Sequence, residues 1–304
     1  MSRISEIAAK STIRNYAQGA AQNMVKNTIG DFLAPSVNVP TASGFYKVYS
    51  EKSRYRTVNT RRNAGEAAVR IGWDANDKVY NCLAHAIDCP VDITEQMADS
   101  SIENALKEAA DLVAETAALS HEAEVITKAT EAAGASSIKL SLDTNLISDF
   151  DDVILDIMKA SGFAGSQCIR VLWGAKAWKM VKNHKSVLEA LSDSSLKVPS
   201  LETMKNLLLG NPEGKISFAL KDNAPEGKAK ALDFLLSDKV IFFVGNSNPT
   251  RRDASFMKTF RLDGEWMKAG TYQTPDGRAD VAKMDWSEDV QVCNASAAKI
   301  ITIS

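Results

Sequence analysis

The sequence predicts an α+β fold, because short helical and strand-like segments alternate along much of the chain. One exceptionally long helical segment runs from about residue 100 to residue 133 and ends before Gly134, a residue type that often stops helices. The apolar run at residues 240–244 predicts a buried strand, and segments 290–293 and 299–303 are strand-like again. A chain end of this kind usually returns to a sheet formed earlier.

The N-terminal segment predicts an amphipathic arm. Apolar residues recur at helical spacing from Ile4 to Phe32. Pro35 and Pro40 interrupt this pattern, and residues 34–44 are expected to be extended, because a residue before proline is disfavoured in helical conformation. An unsupported amphipathic helix is only marginally stable. We therefore expect the arm to be a unit separate from the rest of the chain.

A long hairpin is predicted after the arm. Its strand-like segments are residues 45–49, 67–73 and 79–87, and turn residues at 63–65 and 74–77 separate them. The tip, residues 54–62, contains almost no apolar residues beyond Tyr55 and Val58. Such a segment cannot bury a core of its own, so something else must support it.

The long helix that follows is expected to be buried on one side and acidic on the other. One narrow stripe is apolar: Ile102, Leu106, Ala109, Val113, Ala117 and Ile126. The glutamates are expected to lie largely outside it: Glu103, Glu108, Glu115, Glu122 and Glu131. Further along the chain, the pattern predicts helices at 149–161, 175–182, 186–191 and 200–209 and a strand at 168–173. Ser200 is the expected N-cap of the last of these helices.

Composition excludes several classes of protein. The 304 residues are 45% hydrophobic and 24% charged, as in ordinary folded chains. The net charge of −2 argues against a nucleic-acid footprint over the whole surface. No apolar run is long enough to span a bilayer, and residues 1–10 contain no apolar signal core. Four scattered cysteines favour a reducing compartment over a disulfide scaffold.

The motifs of enzyme chemistry are weak in this sequence. The three histidines have no metal-ligand spacing, so we interpret them as structural or surface residues. The Gly210–Ile216 segment resembles a phosphate loop only faintly, and a helix-ending turn explains it better. Asp149 and Asp152 could act as paired carboxylates, yet acids at a helix start commonly complement the helix dipole. No cofactor or metal site is predicted.

Several segments, taken in order, carry a resemblance to a known family. Three segments resemble an extended loop: Phe45-Tyr46-Lys47-Val48-Tyr49, Arg61-Arg62-Asn63-Ala64-Gly65 and Tyr80-Asn81-Cys82. Val91-Asp92-Ile93 and the helix from Ser100 resemble the entry to a spine helix. Two further parts are similar to an axial domain and a C-terminal region: Trp173–Trp178 with His184–Val187, and Ser255–Phe260 with the closing strands. This order resembles that of the tailed-phage major capsid proteins, which have the Hong Kong 97 fold.

The resemblance implies a fold with an N-terminal arm, an extended β-hairpin loop, a long spine helix with a β-sheet in a peripheral domain, and an α+β axial domain. The implied boundaries are 1–40 for the arm, 41–90 for the loop, 91–140 with 275–304 for the peripheral domain, and 141–274 for the axial domain. The implied function is non-enzymatic: a major capsid protein that self-assembles into pentamers and hexamers of an icosahedral shell around double-stranded DNA. The implied location is the virion, after assembly in the host cytoplasm.

The implied partners are other copies of the chain, a separate scaffold, a portal, a decoration protein and non-specifically held DNA, without a membrane. Only about 35 residues precede the loop, which predicts a separate scaffold or none. The family's extended loop reaches over the adjacent subunit. Residues 45–80 carry a net charge of +4 and residues 95–131 a net charge of −7, so we expect inter-subunit contacts among Arg54, Arg56, Arg61, Arg62, Glu103, Glu108, Glu115 and Glu122. Weak DNA contacts are expected from Arg3, Lys10, Arg14 and Lys26 of the arm, which is expected on a neighbouring subunit or the inner surface.

Two alternatives stay open at this point. An encapsulin-like shell of the same fold would enclose a protein cargo instead of DNA. A cytoplasmic α+β enzyme would use acids such as Asp149 and Asp152.

Overall fold

The computed structural model describes residues 15–20, 28–49, 57–72, 75–94, 102–141, 144–161, 169–192, 198–225, 227–246, 249–250, 255–264 and 267–304. The predicted α+β class is confirmed, because helices and several sheets occur together. The chain forms two compact units, each assembled from separate stretches of sequence. The first unit takes its described residues from Met1–Gly44, Tyr80–Lys128 and Thr259–Gln291. The second takes them from Phe45–Val79, Ala129–Lys258 and Val292–Ser304.

A five-stranded sheet organises the first unit. Its strands are β1 (Ser36–Val39), β4 (Leu83–Asp92), β11 (Met257–Leu262), β12 (Lys268–Gln273) and β13 (Ala279–Val292). The order is β1-β11-β13-β12, and β4 pairs with β13 over ten residues in antiparallel register. The short helix α1 (Gly30–Leu33) leads into β1. Because β13 pairs along most of its length, it is the central scaffold of this unit.

The long helix α2 (Ile102–Ala132) confirms the prediction for this segment. Its apolar stripe is buried at Leu106, Val113 and Ala117, where it packs into one hydrophobic cluster with Met284 and Trp286 of β13. Gly134 follows the helix and begins strand β5 (Gly134–Ile138). Small alanines over much of the stripe let the helix approach the sheet closely.

A second five-stranded sheet is the core of the second unit. Its strands are β5 (Gly134–Ile138), β14 (Ala298–Ile303), β10 (Lys239–Val244), β6 (Ile169–Gly174) and β7 (Glu213–Ser217), in that order. The apolar strands β6 and β10 are almost wholly buried, as expected for strands covered on both faces. Four helices belong to this unit: α3 (Leu146–Ser161), α4 (Ala175–Lys182), α5 (Lys185–Ser192) and α6 (Leu201–Leu207). These confirm the predicted helices, with ends shifted by up to three residues.

The remaining strands form two small sheets. In one, β2 (Ser43–Tyr49) pairs with β3 (Ala75–Asn81). In the other, β8 (Leu220–Asp222) pairs with β9 (Leu232–Phe234) in antiparallel register. Ser200 caps α6 as predicted, since its Oγ accepts a hydrogen bond from Thr203 N at 3.2 Å. Gly210 adopts φ +79° after this helix, which supports the interpretation of that segment as a turn.

The hairpin prediction was wrong in two details. Residues 67–72 form no strand, and Val69 and Ile71 are exposed, since among the described residues no other segment packs against them. The predicted strand at 79–87 is two strands separated at Cys82. Cys82 N donates to Ala42 O at 2.7 Å, and the Cys82 thiol donates to Phe260 O at 3.4 Å. Cys82 therefore lies between the strand that ends at Asn81 and the strand that begins at Leu83, which belong to different sheets.

The N-terminal arm differs from the prediction of a separate unit. Strand β1 pairs in parallel with β11, and Phe32 and Leu33 are buried in the first unit. Ala17, in the helical stretch 15–20, belongs to the hydrophobic cluster of α2. Residues 28–39 therefore complete the core of their own chain, while residues 1–14 and 21–27 lie outside the described residues.

The units also divide the chain at positions other than the implied domain boundaries. Residues 292–304 belong to the second unit, because β14 pairs with β10 and β5. Residues 259–274 belong to the first unit, because β11 and β12 are strands of its sheet. The return of the chain end to an earlier sheet is confirmed.

Candidate assembly surfaces

The extended loop, residues 57–72, has no hydrophobic core of its own. Residues 57–72 have no helix or strand, and every side chain in this range except the partly buried Val58 is exposed. The loop presents Arg61, Arg62 and Arg70 together with the exposed apolar residues Val69 and Ile71. Neighbouring apolar side chains that are exposed in this way are typical of a contact surface.

The tip of this loop has a defined turn. Asn63 Nδ2 donates to Glu66 Oε1 at 3.2 Å, and Asn63 N donates to the other oxygen of this carboxylate at 3.2 Å. Gly65 adopts φ +90°, a conformation that glycine tolerates best. Arg61 and Arg62 lie in the loop immediately before this turn.

The base of the loop is anchored in the first unit. The Tyr80 ring is buried and stacks on Phe260 with ring centroids 4.8 Å apart. Its hydroxyl lies 3.2 Å from Thr41 Oγ1. A Cβ at Gly44 would lie only 2.5 Å from the Tyr80 hydroxyl, so this position requires glycine. A rigid base can therefore carry a loop that has no core.

Helix α2 presents acids on its uncovered face. Glu108, Glu115 and Glu131 are exposed, and Leu112 and Leu119 are exposed between them. The side chain of Glu103 lies outside the described residues. The exposed stripe thus combines negative charge with apolar surface, which suits a partner that is basic and partly apolar.

Glu122 is an exception to the prediction that these glutamates lie largely outside the buried stripe, and it corrects the expectation that Glu122 contacts another subunit. Its side chain is buried, because residue 122 falls on the edge of the stripe that faces the N-terminal segment. Burial raises the pKa of Glu122 above its ordinary value, although a hydrogen bond from Ile29 N and the nearby His121 oppose this shift. Glu122 is not available for contact with another subunit.

A buried polar cluster joins three parts of the first unit. His121 Nδ1 of α2 donates to Glu288 Oε1 of β13 at 2.9 Å, and Trp286 Nε1 donates to the same oxygen at 3.0 Å. Arg261 Nη2 of β11 donates to Asp31 Oδ1 of α1 at 2.9 Å, and Arg261 Nε lies 3.6 Å from Glu288 Oε2. We name these residues, Asp31, His121, Arg261, Trp286 and Glu288, the buried cluster.

The electrostatics of the buried cluster favour the charged form of Glu288. Burial acts to raise the pKa of Glu288, but the hydrogen bond and charge of His121 and the charge of Arg261 hold it below its ordinary value. A Cβ at Gly30 would lie 2.7 Å from the His121 ring, so the N-terminal segment packs directly on this histidine. The cluster therefore fixes the segment before β1 to the helix and the sheet.

Sequence reasoning did not find this cluster. Asp31 and Arg261 are 230 positions apart, and His121 and Glu288 are 167 apart. The one local signal is Glu288, an acid at an inward position of a strand whose neighbours alternate in burial.

Several predicted contact residues lie in parts of the chain that the structure does not describe. Arg54 and Arg56 of the loop lie outside the described residues, as do the predicted DNA contacts of the arm: Arg3, Lys10, Arg14 and Lys26. The exposed Arg61 and Arg62 belong to the second unit, and Glu108 and Glu115 to the first. Contact between these two sets stays a prediction.

The acids considered for catalysis lie at the start of helix α3. Asp149 is in its first turn, where a negative charge complements the helix dipole. The neighbouring Asp151 Oδ1 accepts a hydrogen bond from Leu209 N at 2.8 Å. Within the described ranges, no group of three or more His, Cys, Asp or Glu side chains is arranged to hold a metal ion. Across the same ranges, no helix is both long and apolar enough to cross a membrane.

Comparison with solved structures identifies the fold. A phage-related protein from Bordetella bronchiseptica RB50 superposes with a TM-score of 0.71 at 17% identity, covering 96% of both chains. The mature capsid of bacteriophage PhiM1 gives a TM-score of 0.57 at 8% identity, covering 88% of this chain and 84% of that chain. A virus-like particle from Pyrococcus furiosus gives 0.56 at 12% identity, covering 96% and 98%.

Sequence comparison alone reveals none of this. No family profile matches the chain, and no curated protein sequence does. The structural likeness nevertheless covers 96% of this chain for two of these structures and 88% for the third. The chain has the Hong Kong 97 fold, the fold of the tailed-phage major capsid proteins.

Proposed function

We propose that this chain is the major capsid protein of a tailed phage, which self-assembles into pentamers and hexamers of an icosahedral shell around double-stranded DNA. The observation that carries the proposal is the loop 57–72, whose exposed arginines and apolar side chains are suited to contact with another subunit. The fold adds weight, because solved structures with this fold include the PhiM1 mature capsid. The role is structural, and no reaction is assigned to the chain.

The loop and the helix α2 are the proposed partners across the subunit boundary. Arg61 and Arg62 would lie against Glu108 and Glu115 of a neighbouring copy, while Val69 and Ile71 would cover exposed leucines such as Leu112. Each exposed ion pair is weak on its own. Repetition around every ring would set the register of the subunits, and weak single contacts would let misplaced subunits dissociate.

DNA would be held by confinement and weak phosphate contacts. The net charge of −2 leaves little general attraction for a polyanion, so local basic residues must supply it. The candidates are those of the arm: Arg3, Lys10, Arg14 and Lys26. Virion localisation, a separate scaffold, a portal and a decoration protein belong to the same proposal.

A second candidate function is a shell that encloses protein cargo. The likeness to the Pyrococcus furiosus virus-like particle, which covers 98% of that chain, favours a shell without naming its content. The two functions differ in what the shell contains.

One experiment tests the function and separates the two candidates. The chain is expressed alone and with the rest of its genomic neighbourhood, and particles are purified, treated with nuclease and opened. Particles that contain nuclease-protected double-stranded DNA support the proposal. Particles that contain a defined protein and no DNA support the second candidate, and a chain that forms no particles in either setting contradicts both.

A further inference from the structure

Strand β4 is an open edge of the sheet in the first unit. It pairs with β13 on one side, and among the described residues no strand pairs with its other side. Ile93 N donates to Arg278 O at 3.0 Å, in continuation of the β4–β13 register. Because the backbone groups of a strand point to its two sides alternately, the odd-numbered residues of β4 bond to β13 and the even-numbered residues face outward.

The open edge presents unpaired backbone groups beside exposed side chains. The N–H and C=O groups of Ala84, Ala86 and Asp88 face outward, and the side chains of these three residues are exposed. Pro90 has no N–H, so the edge available for pairing ends near this residue. An exposed strand edge of this kind is a template on which a strand of another chain can pair.

The loop contains a segment with the sequence of a strand but without a partner strand. In residues 67–72, Val69 and Ile71 alternate with Arg70 and small residues, the period-two pattern of a strand with one apolar side. All six residues are exposed, and within the described part of the chain their backbone forms no hydrogen bond. Such a segment becomes a stable strand when a sheet edge pairs with it and covers its apolar side.

We propose that residues 67–72 of one copy of the chain pair with the outer edge of β4 in a second copy, as an added antiparallel strand. Antiparallel pairs are slightly more stable per residue than parallel ones. The inference rests on the proposed function and names the edge that receives the loop. Loop and edge are different surfaces, so the contact is head-to-tail, and repeated head-to-tail contacts close into rings when the rotation allows.

The apolar side of the segment fits the face of the sheet that packs on α2. Ile87 and Cys89 of β4 are only partly buried, and they pack against the hydrophobic cluster of α2. With Ile71 opposite Ile87, Val69 lies opposite Cys89, so both apolar side chains extend this cluster. A register shifted by one residue would turn Val69 and Ile71 to the other face.

The charged residue of the segment selects one register. With Ile71 opposite Ile87, Arg70 lies opposite Asp88 on the other face of the sheet. A shift by two residues would keep the apolar side chains on the α2 face, but it would place Arg70 opposite Ala86 or Pro90. Opposite charges directly across a strand pair are favourable, so the register with Arg70 opposite Asp88 is preferred.

Charge around the two surfaces agrees with this register. Residues 57–72 contain three arginines and one glutamate, whereas β4 contains two aspartates, one histidine and no lysine or arginine. Asp88 Oδ2 accepts a hydrogen bond from the Tyr272 hydroxyl at 2.9 Å, and Asp88 Oδ1 is left for Arg70. Lys283, the cross-strand neighbour of Asp88, forms its own ion pair with Asp285 at 2.7 Å.

The added strand would also extend the sheet over an uncovered side of α2. Strands β12 and β4 flank β13 on opposite sides, and Ala110 of α2 lines a small depression with Gly270 and Thr271 of β12. Leu112 is exposed and lies roughly 200° from Ala110 around the helix axis, on the side of β4. A strand next to β4 therefore lies towards Leu112, in agreement with the role proposed above for Val69 and Ile71.

Disulfide trapping tests the contact and its register. In Val69→Cys, the new thiol would face the native Cys89 of the neighbouring copy in a non-hydrogen-bonded pair, where Cα atoms lie about 4.5 Å apart, within the reach of a disulfide. Mild oxidation of assembled particles is expected to give a ladder of covalent oligomers that ends at pentamers and hexamers. Particles of Val69→Cys that give no ladder would overturn the inference.

Three control variants keep this test specific. Val69→Cys combined with Cys89→Ser removes the partner thiol and is expected to give no ladder. Arg70→Cys points to the other face of the sheet and is expected to give none, and Ile71→Cys, opposite Ile87, is expected to react more weakly than Val69→Cys. A ladder in either of the first two controls, or a stronger one from Ile71→Cys, would overturn the proposed pairing.

A backbone substitution gives an independent readout. Ala86→Pro removes an outward-facing N–H and leaves the hydrogen bonds to β13 in place, so the subunit should keep the circular dichroism spectrum of the parent. Particle yield is expected to fall about tenfold or more, because the lost bond and the proline ring weaken every loop contact in the ring. Ala86→Ser keeps the N–H and is expected to assemble like the parent. Equal yields from the two folded variants would overturn the inference, and disulfide trapping decides if Ala86→Pro does not fold.

The outcomes separate this inference from the proposed function. If the unmodified chain forms particles and the trapping or the proline variant gives a contrary result, the pairing with β4 is wrong while the shell function stands. If the unmodified chain forms no particles, the proposed function is wrong and this inference falls with it.

Discussion

His121 Nδ1 and Glu288 Oε1 lie 2.9 Å apart in the interior of the first unit, where both side chains are almost completely removed from water. Arg261 reaches from the same carboxylate to Asp31 in the segment before β1. A buried charge is tolerated when partners on every side compensate it, and costly when one partner is removed. The cluster therefore fastens the N-terminal segment to the spine helix and the sheet.

Removal of Arg261 should destabilise the subunit strongly. In Arg261→Met, Asp31 and Glu288 both lose the Arg261 guanidinium, Glu288 keeps His121, and an apolar side chain of similar length remains. We expect a loss of about 3–5 kcal/mol in the free energy of unfolding, the usual cost of breaking a buried pair. Urea unfolding of the soluble subunit measures it. The control is Lys283→Met, which breaks the half-exposed pair with Asp285 and should cost about 0–1 kcal/mol; equal losses in both variants would contradict the role of the cluster.

Acid should weaken this cluster in a defined direction. The pKa of Glu288 is lower in the folded chain than its ordinary value of 4.5. The unfolded state thus takes up its proton first as the pH falls, so Glu288 contributes stability above about pH 4.5 that is lost below it. The difference in unfolding free energy between the parent and Glu288→Gln should be constant near neutrality and shrink below this pH. A difference that grows on acidification would show that the sign is wrong.

Glu122 should behave in the opposite way. Burial raises its pKa, so the folded state binds the proton more tightly than the unfolded state does. The cost of its charge is absent in acid and appears as the pH rises through the raised pKa. Relative to the parent, Glu122→Gln should therefore gain stability between acid and neutral pH. Chemical unfolding at several pH values checks this, and a relative gain on acidification would contradict it.

Gly44 should not accept a side chain. A Cβ there would lie 2.5 Å from the hydroxyl and 2.8 Å from Cζ of Tyr80, whose ring is fixed by Phe260. We expect Gly44→Ala to cost about 1–3 kcal/mol, the usual range for overpacking a closed site. Thermal unfolding measures the loss. Gly72→Ala is the matched control, because no atom of the described residues lies within 4 Å of a Cβ at that position. A similar loss in both variants would rule out the steric argument.

Reversal of the loop charge should affect assembly and leave folding intact. Arg61 and Arg62 are exposed, so Arg61→Glu with Arg62→Glu should keep the circular dichroism spectrum of the parent. Particle formation should fail or become strongly dependent on salt, because these side chains would then repel the acids of a neighbouring α2. The control variant, Lys47→Glu with Lys78→Glu, changes the charge equally at exposed positions on the strands at the base of the loop. Unchanged assembly of the Arg61/Arg62 variant at every salt concentration would exclude an important role for these arginines.

The elements that could be predicted from sequence are those with a strong local signal. Helix α2 carries a continuous apolar stripe at helical spacing, and β10 is an unbroken apolar run. Strand β13 was not predicted beyond residues 290–293. Lys283 and Asp285 alternate with Met284 and Trp286 as expected for a strand, but Glu288 places a charge at an inward position of the pattern. Glu288 lies inside the fold only because its partners come from distant parts of the chain, and no local pattern contains that information.

The N-terminal segment is a second case in which a distant partner decides the structure and no local sequence pattern reveals it. Pro35 correctly marks the end of a helix, since α1 ends at Leu33. The inference that the arm is therefore separate was wrong for residues 28–39, because β1 finds its partner in β11, more than 200 positions later. The candidate contact residues Arg61 and Glu115 followed from charge counts, and exposure agrees with them. Their pairing depends on a second copy of the chain.

The central claim is that this chain builds a closed shell, and the mass of the purified protein tests it most directly. Sedimentation velocity, with electron microscopy of the same fractions, should reveal megadalton icosahedral particles built from the 32.9 kDa chain. A folded protein that stays at 32.9 kDa, or at a small oligomer, at all concentrations and salt conditions would contradict the account.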